Sequence, residues 1–97
     1  MRYLKLQENE EKHLFEALLE LENVEECRKF LRDLCTQLEL EELVARWRVA
    51  RLLTKKMPYR QIAQETGVST ATVGRVARCI KHGSEGYTTV LSRQRYI

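Results

Sequence analysis

The sequence holds few of the residues on which enzymes and metal sites depend. It contains two histidines, one aspartate and three cysteines, and the cysteines form no C-x-x-C pair. No nucleophile and base are spaced as in a catalytic pair, and no set of residues is spaced as the ligands of a zinc site are. These absences argue against an enzyme and predict a protein that needs no metal and no cofactor.

Long apolar runs and disulfide partners are also lacking. No stretch approaches the length of a membrane span, and the first ten residues lack the apolar core of a signal peptide. Cys27 and Cys35 lie about 12 Å apart if they share one helix, which is too far for a disulfide bond. Reduced thiols are typical of the cytosol, so we expect a cytoplasmic protein with no membrane partner.

What the sequence does hold is charge, and it is divided unevenly. Residues 1–42 carry 6 Lys/Arg and 12 Asp/Glu, a net charge of −6, whereas residues 43–97 carry 11 and 2, a net charge of +9. A basic half of this kind is typical of a phosphate-binding surface, although a solvated charged face gives the same count. The 97 residues predict a single domain close to the lower size limit for one hydrophobic core.

The spacing of apolar residues predicts helices along the whole chain. A helical segment from about Gln7 to Asn23 is apolar on two sides, a second helix follows Asn23 and breaks at residues 35–37, and a long helix continues to about Lys56. A chain this small cannot cover both apolar sides of its first helix. We therefore expect a partner subunit to cover part of this helix.

Residues 58–82 carry the features of a helix-turn-helix. Pro58 is expected to open the first helix of the motif, Gly67 to end it in the left-handed conformation, and Ser69 to cap the second helix. The buried face of that second helix is indicated by apolar residues at helical spacing: Val73, Val76, Ala77 and Ile80. An ordinary helical hairpin shows each feature alone, but their conjunction favours the helix-turn-helix. Residues 83–97 predict a short helix or tail.

The outward face of the second motif helix predicts contact with double-stranded DNA. Threonine and alanine can contact a thymine methyl group, and arginine can bind guanine through two hydrogen bonds. A serine-capped helix start suits a phosphate, and lysines ahead of the motif suit phosphates without reading sequence. The predicted DNA-contact residues are Lys55, Lys56, Arg60, Gln61, Ser69, Thr70, Ala71, Thr72, Gly74, Arg75 and Arg78.

Two alternatives remain open at this point. The helix-turn-helix can serve as the scaffold of a protein-interaction module, or the module can bind RNA. The hydroxyl residues at the start of the second helix can also do no more than cap it. Cys79 lies at the edge of the exposed face, and one hypothesis gives its thiol a redox role. More commonly, a free cysteine acts only as a small apolar side chain.

The same residues resemble a known family. The stretch from Trp47 through Gly67 to Arg75 is similar to the Trp repressor superfamily, and the run T-G-V-S-T-A-T-V-G-R-V, followed by K-H-G-S-E-G-Y, resembles its YerC/YecD-type branch. The resemblance covers about Phe30 to Tyr87. It implies an all-α protomer of six helices and an intertwined homodimer, whose dimerisation helices lie in residues 1–57. It also implies a transcriptional regulator, of the repressor type, that binds a pseudo-palindromic operator in duplex DNA.

The corepressor site of that family is matched only in part. The resemblance places Arg75 at the recognition-helix arginine that covers the indole of bound tryptophan. It places Val76 where the family has a glycine that leaves room for the ligand, and Cys79 where a serine receives the ligand's amino group. Val76 is also a predicted packing residue, so we expect its side chain to occupy the crease.

The second corepressor arginine has no direct equivalent. An ungapped alignment places Ala45 opposite it, so Arg46 or Arg48 could substitute only through a register shift or a different side-chain path. The sequence therefore predicts that the protein binds no tryptophan and has no small-molecule ligand site.

Overall fold

The computed structural model is all-α, and it describes the backbone of residues 2–97 and the side chains of residues 7–97. The described chain forms six helices, as predicted: α1 (Arg2–Leu19), α2 (Val24–Leu34), α3 (Gln37–Thr54), α4 (Tyr59–Thr66), α5 (Thr70–His82) and α6 (Gly86–Arg93). The chain divides into two compact units, Met1–Gln37 and Leu38–Ile97. The intertwined homodimer and the single domain over residues 1–97 stay predictions.

The first unit contains α1 and α2. The prediction that its first helix continues to Asn23 is wrong, since α1 ends at Leu19. Asn23 caps α2 instead, because its side-chain oxygen accepts a hydrogen bond of 2.9 Å from the Glu26 amide. The large apolar side chains of α1 between residues 14 and 19 are exposed, and Phe15 keeps 55% of its surface accessible. This part of the first unit therefore presents an apolar surface.

The second unit is built around one small core. Val49 and Ala50 from α3, Ile62 from α4, and Val73 and Val76 from α5 form a single cluster in which no residue is more than 2% exposed. The long helix thus packs with the helix-turn-helix and completes its core. Burial of these side chains is the main stabilising contribution to the unit.

The corner between α3 and α4 begins slightly earlier than predicted. The prediction that the long helix continues to Lys56 is wrong by two residues, because α3 ends at Thr54 and Lys56 adopts a left-handed φ of 59°. Pro58 follows at the N-terminal boundary of α4 with φ −60° and ψ 145°, a geometry that its ring favours. Proline at the opening of α4 agrees with the prediction.

The turn of the helix-turn-helix has the predicted geometry. Gly67 adopts a left-handed φ of 78°, and its amide donates to the Ala63 carbonyl at 2.9 Å. Thr66, the last residue of α4, donates its hydroxyl to the Ile62 carbonyl at 2.7 Å. Hydrogen bonds therefore stabilise the end of α4, where a hydrophobic contact is more common.

The C-terminal segment forms a helix. Leu91 on α6 is fully buried, and the Tyr96 amide donates to the Leu91 carbonyl at 2.8 Å. The ring of Tyr96 then meets Trp47 edge-on, with 6.4 Å between the ring centroids. These contacts fix the chain end against α3, so residues 83–97 belong to the second unit.

Replacing Gly67 by alanine tests the turn. A β-carbon forces the left-handed backbone into strain, so we expect Gly67→Ala to lower the free energy of unfolding by about 1 to 2 kcal/mol. Chemical denaturation followed by circular dichroism measures this difference. Gly86→Ala is the matched control, because a β-carbon at Gly86 meets no atom within 4 Å. Equal stability of the two variants would contradict the left-handed backbone conformation of Gly67.

Candidate nucleic-acid interface

Helix α5 has one buried face and one exposed face. Val73, Val76 and Ala77 are buried, whereas the residues predicted to face outward, Thr70, Ala71, Arg75 and Arg78, are exposed. The two arginines lie in a stretch with no acidic residue from residue 66 to residue 84. The exposed face of α5 is therefore positive, and its surface can attract a polyanion.

The start of α5 is held by two hydroxyl groups. Ser69 adopts extended backbone geometry, and its Oγ accepts a hydrogen bond of 3.1 Å from the Thr72 amide. The same hydroxyl donates to Thr72 Oγ1 at 3.0 Å. The capping role of Ser69 is thus observed, and the hydroxyls of both residues are engaged with each other. A phosphate contact by Ser69 stays a prediction.

The predicted contacts on α4 and before it are all at the surface. Arg60 and Gln61 are exposed in the first turn of α4, and Lys55 and Lys56 are exposed in the turn that precedes it. The Gln61 side-chain amide donates to a Glu65 carboxylate oxygen at a long 3.4 Å. An external partner can displace this weak bond at small cost. The four residues are accessible, and their role stays a prediction.

One arginine of α3 has a structural role that the sequence did not reveal. Arg48 Nη1 donates to the Glu65 carbonyl at 3.1 Å. The last carbonyl groups of a helix lack partners within it, so this bond satisfies one of them and joins α3 to the end of α4. No local signal identifies the pair, because the two residues are 17 positions apart.

The neighbouring Arg51 is half-buried. Its Nε atom is buried and has no hydrogen-bond partner within the described part of the chain. Partial burial is typical of an arginine whose aliphatic stem lies on apolar surface.

A cleft of about 490 Å³ opens between α3 and α5. Val76 is buried as predicted and forms part of the cleft wall. The expectation that its side chain occupies the crease that a ligand would enter stays a prediction. The lining residues are Glu42, Leu43, Ala45, Arg46, Val68, Ser69, Thr72, Arg75, Val76, Cys79 and Tyr87.

The cleft combines two cationic groups with an apolar wall. Arg46 and Arg75 both line it, and Ala45, which the alignment places opposite the second corepressor arginine, lines it beside Arg46. Cys79 lies there too, as an exposed free thiol. Two guanidinium groups can bind a carboxylate or a phosphate, but Glu42 on the same wall opposes an anion. The expected absence of a small-molecule ligand stays a prediction.

Comparison with known proteins identifies the family. The sequence model of the Trp repressor protein family matches residues 9–95. The chain belongs to the Trp repressor family. It is 43% identical over 93 residues to a Bacillus subtilis protein described as uncharacterized protein YerC, an alignment that covers 96% of this chain and 89% of the relative. The YerC-type branch inferred from the sequence is thereby confirmed.

Solved structures of this family share the fold. A candidate Trp repressor from Staphylococcus aureus superposes with a TM-score of 0.87 at 41% identity, covering 100% of this chain and 97% of the other. A TrpR-like protein from Eubacterium eligens gives a TM-score of 0.82 at 39% identity, covering 87% of each chain. The all-α fold of the Trp repressor family is therefore established for this chain.

The described residues form neither a metal site nor a membrane span. No group of three or more His, Cys, Asp or Glu side chains lies close enough together there to hold a metal ion. None of the helices in that part of the chain combines the length and apolar character required to cross a membrane.

Two substitutions at Ser69 separate its cap from its predicted phosphate contact. Ser69→Ala removes the cap and should lower the free energy of unfolding by about 1 kcal/mol. Ser69→Asp keeps a capping oxygen and adds a charge that favours a helix start, so its stability should match or exceed that of the wild type. The same negative charge should weaken binding to duplex DNA at least about tenfold. Denaturation and fluorescence anisotropy measure the two effects, and a Ser69→Asp variant with unchanged DNA affinity would remove Ser69 from the interface.

Proposed function

We propose that this protein is a sequence-specific transcriptional regulator, of the repressor type, that binds double-stranded DNA in the cytoplasm as a homodimer. The observation that carries the proposal is the division of α5 into a buried apolar face and an exposed positive face. In a helix-turn-helix, the second helix enters the major groove and its exposed residues contact base edges. Membership of the Trp repressor family supports this function.

The roles of the exposed residues follow from their chemistry. Arg75 and Arg78 are long enough to hydrogen-bond to guanine or to a phosphate, and Thr70 and Ala71 in the first turn suit thymine methyl groups. Lys55 and Lys56 suit phosphates, which fix orientation and carry no sequence information. The other residues that we propose to contact DNA are Arg60, Gln61, Ser69, Thr72 and Gly74.

The homodimer is supported by apolar surface in both units. In the first unit Phe15 and Leu18 are exposed, and in the second unit Leu38 and Val44 keep 64% and 61% of their surface accessible. Large exposed apolar side chains on one small chain are typical of a protein interface. A two-fold dimer presents two copies of α5 to successive major grooves about 34 Å apart, which matches a pseudo-palindromic site.

Tryptophan is not required in this proposal. Val76 lies where the family resemblance places a glycine, so a β-branched side chain forms part of the cleft wall at the position where the family leaves room for the ligand. A ligand that fits the original family pocket closely loses affinity when buried volume is added to the wall. The acidic Glu42 in the cleft further opposes the carboxylate of an amino acid.

Arginine substitutions test the DNA-binding surface. Arg75→Ala and Arg78→Ala should each weaken duplex binding about tenfold or more, and an arginine that contacts a phosphate should also reduce the slope of log affinity against log salt by about one. Fluorescence anisotropy over a salt series measures both quantities. Arg32→Ala, on the exposed surface of α2, is the matched control because it removes the same charge outside the proposed interface. If all three variants bind alike, the protein-module alternative is favoured.

Selection from random duplex DNA, with and without tryptophan, tests sequence specificity. We expect enrichment of a near-palindromic sequence in both conditions, with half-sites one helical turn apart. Enrichment of a single half-site would contradict the dimer, and enrichment only with tryptophan would contradict tryptophan independence. No enrichment at low salt, together with binding to a structured RNA pool, would favour the RNA-binding alternative.

A further inference from the structure

A second cavity in the second unit has no part in the proposed function. It has a volume of about 420 Å³ and is lined by the last residues of α3, the start of α4, the second half of α5, and α6. Its lining shares no residue with that of the cleft between α3 and α5. Small-molecule sites commonly have a volume in this range. The sequence-based expectation of no small-molecule site rested on corepressor residues, none of which lines this second cavity.

The interior of the second cavity is apolar. Its buried and half-buried apolar side chains are Ala77, Leu91, Leu53, Met57 and Ile80. The Thr54 hydroxyl, which also lines the cavity, already donates to the Arg51 carbonyl at 2.5 Å. A molecule that enters therefore meets a wall with little to offer a polar group, and a polar group left there without a partner costs binding energy.

The charged groups of the lining are two exposed lysines. Lys56 lies in the corner between α3 and α4, and Lys81 lies in the last turn of α5. No acidic residue is among the residues that line the second cavity, whereas Glu42 lines the other cleft. An anionic group at the edge of the second cavity would therefore meet two cations and no opposing carboxylate.

We infer that this cavity binds a free organic molecule with an apolar body and a single anionic head group, the class that includes medium-chain fatty acids. The apolar body replaces water against the buried wall, and the head group pairs with Lys56 and Lys81 at the exposed edge. A nucleotide or a sugar does not fit this description, because most of its polar groups would face the apolar wall without partners.

The apolar surface on which the proposed homodimer depends lies elsewhere along α3. In this unit it includes Leu38 and Val44, and Val44 is nine residues before Leu53, about 14 Å along the helix axis. The cavity is therefore not part of that surface. The inference also stands apart from the proposed function, because binding to the cavity can be measured without DNA.

Titration calorimetry of the full chain with decanoate tests the inference. We expect saturable binding of a single molecule per chain, with an affinity that rises about two- to fourfold for each methylene added from hexanoate to decanoate. Decylammonium has the same chain length and the opposite charge, so it should bind at least about tenfold more weakly. The inference is overturned if decanoate does not bind saturably or if decylammonium binds equally well.

Lysine substitutions test the position of the head group. Lys56→Ala and Lys81→Ala should each lower the affinity for decanoate about threefold, and the double variant about tenfold, because the two sites act on one charge. Both side chains are exposed, so the variants should keep the circular dichroism spectrum of the wild type. Lys29→Ala, at an exposed position of α2, removes the same charge outside the cavity and should bind decanoate as the wild type does. Equal losses in all three single variants would contradict the inference.

Methyl nuclear magnetic resonance identifies which cavity is occupied. Decanoate should shift the methyl signals of Ala77, Ile80 and Leu91, which line the second cavity. The methyl signals of Leu43 and Val68, which line the other cleft, should not move. Shifts confined to Leu43 and Val68 would place the molecule in the other cleft and would overturn the inference even if the affinity agreed.

Discussion

The arrangement of this protein's second unit depends on the burial of one face of α5. Val73 and Val76 can be excluded from water only by packing against Ile62 of α4 and the Val49 and Ala50 pair of α3. That packing fixes the rotation of α5 about its own axis, because residues three and four apart share a face. The opposite face, with its arginines, is then exposed as a geometric consequence, and no separate interaction is needed to orient it.

Positive charge in this half of the chain serves more than one purpose. Arg48 donates to the Glu65 carbonyl, and Arg46 lines the cleft. Arg75 lines the cleft and also lies on the exposed face of α5. The net charge of residues 43–97 therefore overstates the number of cations available to a polyanion. The position of each guanidinium group, rather than the total, decides what the surface can bind.

The features that the sequence predicted well are those set by neighbouring residues. Gly67 and Pro58 determine their own backbone geometry, so the turn and the corner could be located before the structure was known. The end of α1 was missed because Asn23 suits both the end of one helix and the cap of the next, and only the Glu26 hydrogen bond decides between them. The volume of the cleft could not be predicted from the sequence, because it depends on the separation of α3 and α5, which the size of Val76 alone does not determine.

Val76 and Arg75 show why the cleft and the exposed face of α5 cannot be treated as separate. The two residues are adjacent in sequence, one is in the core and the other is exposed, and both line the same cleft. A molecule in the cleft would therefore contact both Val76, whose packing orients α5, and Arg75, which lies on the exposed face proposed to bind DNA. Contact alone does not make a switch, since a ligand shifts an equilibrium only by its difference in affinity for two states. Val76 packs against α3 and α4 without any ligand, so the exposed face of α5 is already held in place, and a cleft ligand could regulate it only by favouring a different rotation of the helix.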